Sequence, residues 1–227
     1  MRRSTVLGVA ICAAIAFTCI AAGSASATVL CSKQVNPCGA STIGLGVKIK
    51  AALPALTVTV IENEFGNVTC LENQIGMKIT GEGGEGISTT VKVTEFFFAQ
   101  CTRPIGGGMT ENCAVTKVNY GATEPEWWSA AFQAEKAPNG NGIFGISGST
   151  LGSFGFYVVC GTNIDCTLTI PTGSKVTGGP GGLVPPTITG VEVMKNMAGK
   201  KCPPNPPTWR FTWAVSEPAA LFVEGKK

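Results

Sequence analysis

The chain reads as an all-β protein: an antiparallel β-sandwich or barrel-like sheet of about ten strands, pinned by disulfides. Three observations carry that expectation. Short runs alternate apolar and polar residues with period two, the mark of a half-buried strand. Clusters rich in Gly, Pro and Asn punctuate those runs at the spacing typical of sandwiches and barrels. Ten cysteines stand in a chain that has no histidine and opens on an export-type leader.

Residues 1–27 have the three parts of a secretory signal peptide. Met1-Arg2-Arg3 supplies the charge, Val6 to Ala22 the apolar run, and Ala25-Ser26-Ala27 the small-residue cleavage site. Cleavage is expected after Ala27. The apolar run falls short of the ~20 residues a spanning helix needs, so no membrane span is expected after processing. Phe17 just before Cys19 is too bulky for lipoprotein processing. Residues 28–227 are expected to form one β-rich domain, working outside the cell.

Along that domain, Val47 and Ile49 face one way and Lys48 and Lys50 the other. Val58 and Val60 alternate with Thr57 and Thr59, which predicts an inward valine face. A strand near 75–80 ends at the Gly81–Gly86 turn. Val91 and Val93 then alternate with Thr90, Lys92 and Thr94 and run into Phe96-Phe97-Phe98. Residues 127–136 and 143–149 flank Pro138-Asn139-Gly140-Asn141-Gly142, a hairpin signal because Asn-Gly tolerates positive φ. Gly178–Gly182 and Pro203–Pro207 are further loops; the latter lacks the amide donors a central strand needs. The last strand is the cleanest, with Trp209, Phe211, Trp213 and Val215 on one face and Arg210, Thr212 and Ala214 on the other.

Losing Cys12 and Cys19 with the leader leaves Cys31, Cys38, Cys70, Cys101, Cys113, Cys160, Cys166 and Cys202. An even number in an exported chain indicates disulfides. On the order of a hundred pairings are possible. Sequence proximity favours Cys31–Cys38, Cys101–Cys113 and Cys160–Cys166, leaving Cys70–Cys202 as a long clasp. No Cys-x-x-Cys spacing and no histidine argue for zinc, so no metal or cofactor is expected.

The missing histidine also removes Ser–His–Asp and Cys–His catalysis. Without Arg2 and Arg3 the basic residues number fifteen against fourteen acidic ones, too balanced for nucleic-acid binding. Asp165 is the sole aspartate, and Asn163-Ile164-Asp165 is too sparse for a calcium loop. Glu62/Glu64 and Glu124/Glu126 would put paired carboxylates roughly 7 Å apart on one strand face. That makes a His-free glycan-directed hydrolase the alternative reading. Trp127-Trp128 points elsewhere: neighbours in a strand face opposite ways, so one ring faces the core and the other solvent. An exposed indole suits stacking on a sugar.

Several segments carry a resemblance. They are Leu30-Cys31 with Pro37-Cys38, Gly66-Asn67-Val68-Thr69-Cys70, Phe98 to Cys101, and Val159-Cys160 with Cys166. To these add Cys202-Pro203 and Trp209, Trp213-Ala214-Val215, Pro218 and Leu221-Phe222-Val223. Together they resemble a group of uncharacterised secreted proteins from actinobacteria, from which the longer Cys101–Cys113 interval departs. The resemblance implies a shared disulfide-pinned β fold and no activity. The expected function is therefore binding or structural, with Trp127 or Trp128 as the contact and a cell-wall or other extracellular glycan as partner. No catalytic site is identifiable in the sequence.

Overall fold

The computed structural model describes residues 27–33, 38–83, 87–134, 142–170 and 187–226. The leader up to Ser26, most of the 138–142 turn and the 178–182 loop lie outside these. Among the described residues there are fourteen strands and two short 3-10 turns. The first strands are β1 (Ala27–Cys31), β2 (Lys48–Ala52), β3 (Thr59–Glu62) and β4 (Val68–Gly81). Next come β5 (Thr89–Gly106), β6 (Met109–Val118), β7 (Ser129–Ala134) and β8 (Gly142–Ile146). The remainder are β9 (Gly155–Cys160), β10 (Ile164–Thr169), β11 (Thr187–Val193), β12 (Lys195–Lys201), β13 (Thr208–Glu217) and β14 (Phe222–Lys226). The excess over ten comes from strands not singled out by their alternation, such as β1, β10 and β12. No helix among the described residues is long and apolar enough to cross a membrane.

Twelve strands form one antiparallel sheet in the order β11-β13-β2-β4-β5-β6-β9-β10-β12, with β3, β7 and β8 branching from it. Its two margins, β11 and β12, are consecutive in the chain, separated by Met194 alone. Met194 is fully buried and its N–H donates to the Pro207 carbonyl at 2.9 Å. The sheet therefore curls until one bent segment bridges both edges, giving a barrel-like sandwich with little open edge. The long β4–β5 hairpin is its spine. β5 pairs with β6 from Cys101 onward and with β7 over Thr89–Lys92. A second, two-stranded sheet joins β1 to β14.

The core is aromatic. Phe96, Trp128, Phe154, Phe156, Trp209 and Trp213 are all at most 2 % exposed. Phe96 stacks on Phe156 at 5.5 Å and meets Trp128 edge-on at 5.5 Å. The expected inward face of β13 is observed, with Trp209, Phe211, Trp213 and Val215 buried. Each buried indole N–H has an acceptor: Trp128 uses Val118 O, Trp209 uses Thr59 Oγ1, and Trp213 uses Asn73 Oδ1. This satisfies the polar end of each ring, which would otherwise oppose burial.

The β3 alternation runs opposite to the expected one. Thr59 and Ile61 point inward, and Val58 is 41 % exposed. Thr59 is held inside because its hydroxyl accepts from Trp209 and donates to Arg210 O at 2.8 Å. A buried hydroxyl with both roles filled costs little, so hydrophobicity alone misassigned the face.

The cysteine pairing also differs. Cys31–Cys38 is as expected, beside Phe222. The other three bonds are Cys70–Cys101, Cys113–Cys160 and Cys166–Cys202, replacing Cys101–Cys113, Cys160–Cys166 and Cys70–Cys202. The reason is register. Cys70, Cys101, Cys113 and Cys160 stand directly opposite one another in a single row across β4, β5, β6 and β9. Directly opposite pairs alternate across a sheet between narrow, non-hydrogen-bonded sites and wide, hydrogen-bonded ones. The Cα separations of 3.9 Å for Cys70–Cys101 and 4.3 Å for Cys113–Cys160 mark both as narrow sites. Cys101–Cys113, lying between them, is then the wide site, with side chains too far apart for the short Cβ–Cβ reach of a disulfide. Cys202 follows β12, whose neighbour is β10, and so meets Cys166 with Cα atoms 4.9 Å apart.

Candidate functional site

A 3-10 turn over Glu124–Glu126 delivers the two adjacent tryptophans just before β7. Its capping box joins Thr123 and Glu126, and the Trp127 N–H donates to Glu124 O at 3.1 Å. The extended chain at Trp127 then turns successive side chains to opposite sides. Trp128 enters the core and is fully buried. Trp127 is only partly covered and forms a wall of an outer groove of about 250 Å³. Its indole N–H has no partner among the described residues, unlike those of Trp128, Trp209 and Trp213.

The rest of the groove is built on the outer face of β2, β4 and β5, in two cross-strand rows. One row is Lys50, Gly76 and Glu95; the next is Lys48 and Lys78, continued by Lys92 just outside the groove lining. Gly76 leaves no room for a side chain between its neighbours. A Cβ there would sit 3.0 Å from Glu95 Cβ and 3.3 Å from Thr94 Oγ1. The register slips beside it, where Gly76 faces Glu95 but Met77 faces Val93, so Thr94 is the bulged residue. Such a bulge twists the strand and re-aims its side chains.

Charge in the groove is unevenly compensated. Lys50 lies 2.9 Å from Glu217, and this hydrogen-bonded contact holds its ammonium above the ordinary lysine pKa. Lys78 has Glu124 at 3.9 Å. Lys92 donates to Trp127 O at 3.3 Å and Ser129 Oγ at 3.0 Å, with no carboxylate partner among the described residues. Lys48 makes no ion pair among the described residues. Glu95 accepts from Gln74 at 3.4 Å. Nearby, Lys117 lies 3.9 Å from the Tyr120 ring centroid, and burial lowers its pKa. Burial likewise raises that of the Tyr120 phenol.

The paired glutamates of the hydrolase alternative are each engaged otherwise. Glu62 binds Arg210 at 2.8 Å, and Glu64 accepts from Asn205. Glu124 and Glu126 lie on the 3-10 turn, not on a strand, and Glu126 caps that turn through the Thr123 N–H. Asp165 accepts from the Tyr157 hydroxyl at 2.8 Å, which raises the phenol pKa.

A second cleft of about 410 Å³ is lined by Phe65, Arg103, Asn163 and Lys201. It is the larger, but its central cation is already spent. Arg103 is buried, donates to Phe65 O at 2.7 Å and lies 2.5 Å from Glu111. A guanidinium so held is a strut between β5, β6 and the 63–66 turn.

The lysine row escaped the sequence reading. Lys48 and Lys92 were placed on outward faces, but only the register of three strands aligns them with Lys78. A disulfide-pinned all-β sandwich with one aromatic, lysine-rimmed groove is the class that fold and site define. Comparison with protein-family models, curated proteins and solved structures found no match.

Proposed function

We propose that this is an exported binding protein whose contact site is the Trp127 groove, and that its partner is an extracellular glycan. The observation that carries the reading is the position of Trp127. Of the four tryptophans it alone lies outside the buried core, walling the groove, and its indole N–H has no partner among the described residues. A flat ring offers its face to sugar C–H groups and its N–H to a sugar hydroxyl. Four disulfides and a sheet bridged at its margins hold the groove on a rigid frame, so binding orders little of the protein. The disulfides fit an oxidising exterior. The resemblance to secreted actinobacterial proteins belongs to this same reading.

Two measurements test it. The protein recovered from culture medium should begin at Thr28 by N-terminal sequencing; an intact leader on a cell-retained product would refute export. On a glycan array, the wild-type protein should bind, and Trp127→Ala should weaken binding about tenfold, the equivalent of ~1.4 kcal/mol. Equal binding by the two proteins would remove the groove as the contact site.

A further inference from the structure

We infer that the glycan taken by this groove is anionic, with a carboxylate or phosphate on successive sugar residues; the inference rests on the groove being the contact site. The argument starts from the row Lys48, Lys78 and Lys92. Like charges directly opposite on neighbouring strands destabilise a sheet. Here three stand in line, and among the described residues the one carboxylate in contact with them is Glu124, 3.9 Å from the central lysine. Nothing in the fold needs three cations there, since the inner faces of these strands already bury Ile49, Ile79, Val91 and Val93. An anionic ligand offsets the repulsion and gives the row a use.

Spacing and chemistry narrow the ligand. Neighbouring strands lie ~4.8 Å apart, so the lysine positions advance across the groove by about one sugar residue per strand. A linear glycan laid across the strands would bring successive anionic groups to Lys48 and Lys78, with Lys92 at the groove's margin. Lys92 ties the row to the aromatic wall, since its ammonium donates to the Trp127 carbonyl. A simple inorganic anion would have no use for the indole, and a neutral glycan would leave the lysines uncompensated. In the neighbouring row Lys50 is paired with Glu217, and Glu95, which accepts from Gln74, offers its carboxylate to sugar hydroxyls away from the anionic groups.

The test uses calorimetric titration of the full mature protein with three probes: tetragalacturonate, a phosphodiester-linked mannose oligosaccharide, and fully methyl-esterified tetragalacturonate. At least one charged probe should bind and change Trp127 emission, more weakly as salt rises. Which charged probe binds identifies carboxylate or phosphate as the source. The ester should bind at least about tenfold more weakly than its acid, and Lys48→Gln/Lys78→Gln should weaken the charged probe by about tenfold. Both lysines are on the outer face and repel each other, so a urea midpoint that is not lowered will show the variant folded. Equal binding of acid and ester would overturn the anionic assignment while leaving the contact reading intact, as would failure of both charged probes beside a neutral glycan that still quenches Trp127. Binding of a charged probe that Trp127→Ala leaves unchanged would overturn the contact reading itself.

Discussion

Replacing Trp209 by alanine should cost about 3–5 kcal/mol of folding free energy, the range for deleting a large buried aromatic. The ring is fully buried at the junction of β13 with the opposite layer. It stacks on Phe211 at 4.2 Å and meets Phe156 at 5.0 Å, Trp213 at 5.8 Å and Phe154 at 5.9 Å. Phe211 and Trp213 share β13 with Trp209, while Phe154 and Phe156 come from the distant β9 region; rings held on two separate elements cannot all collapse into the space, so a cavity persists and its walls lose dispersion contacts. A polar loss adds to this. The Trp209 N–H donates to Thr59 Oγ1 at 3.0 Å, and that bond holds a threonine where its neighbours are apolar. Equilibrium urea unfolding of oxidised protein, followed by circular dichroism, should show a midpoint lowered by about 1–2 M. Trp209→Phe should recover most of the loss, because it refills the volume and forfeits only the hydrogen bond. An alanine variant within 1 kcal/mol (~) of wild type would mean that the aromatic cluster is not the main core.

How far the fold could be read from sequence depended on whether a feature is local. The alternation in Trp209–Val215, in Val91–Val93 and at Lys48–Ile49–Lys50 is a property of a few consecutive residues, so it carried over to the folded chain. The same holds for Trp127 and Trp128, where adjacency alone requires opposite faces. Thr59 broke the rule because its polarity is cancelled by an indole 150 positions away in sequence, which no local window contains. The glutamate pairs failed for a related reason: Pro125 between Glu124 and Glu126 supports a 3-10 turn, where period-two geometry does not apply. The lysine row was invisible until β2, β4 and β5 were set in register. Locality in the chain likewise misled the cysteine pairing, because a bond across a sheet obeys the alternation of backbone hydrogen bonds and not sequence distance.

That pairing leads to the second large effect. Removing the Cys113–Cys160 bond, as Cys113→Ser/Cys160→Ser, should destabilise the oxidised protein by about 4 kcal/mol in the chain-entropy account, whereas Cys31→Ser/Cys38→Ser should lose about 2. The ranking follows from the sequence separations of 47 and 7. Topology points the same way. β6 leaves β5 beyond the cysteine row and continues beside β9, so Cys113–Cys160 ties β6, which is hydrogen-bonded to the β4–β5 spine, to β9 at the start of the β9-β10-β12 layer. Cys31–Cys38 closes only a short loop beside the separate β1–β14 ribbon. Cys160 is fully buried, so serine there also places a hydroxyl in an apolar site. Urea midpoints of the two double variants, compared under identical oxidising conditions, decide the matter. If the Cys31–Cys38 variant proves the less stable, the covalent clamp of the core lies at the β1–β14 end and the row across four strands is secondary.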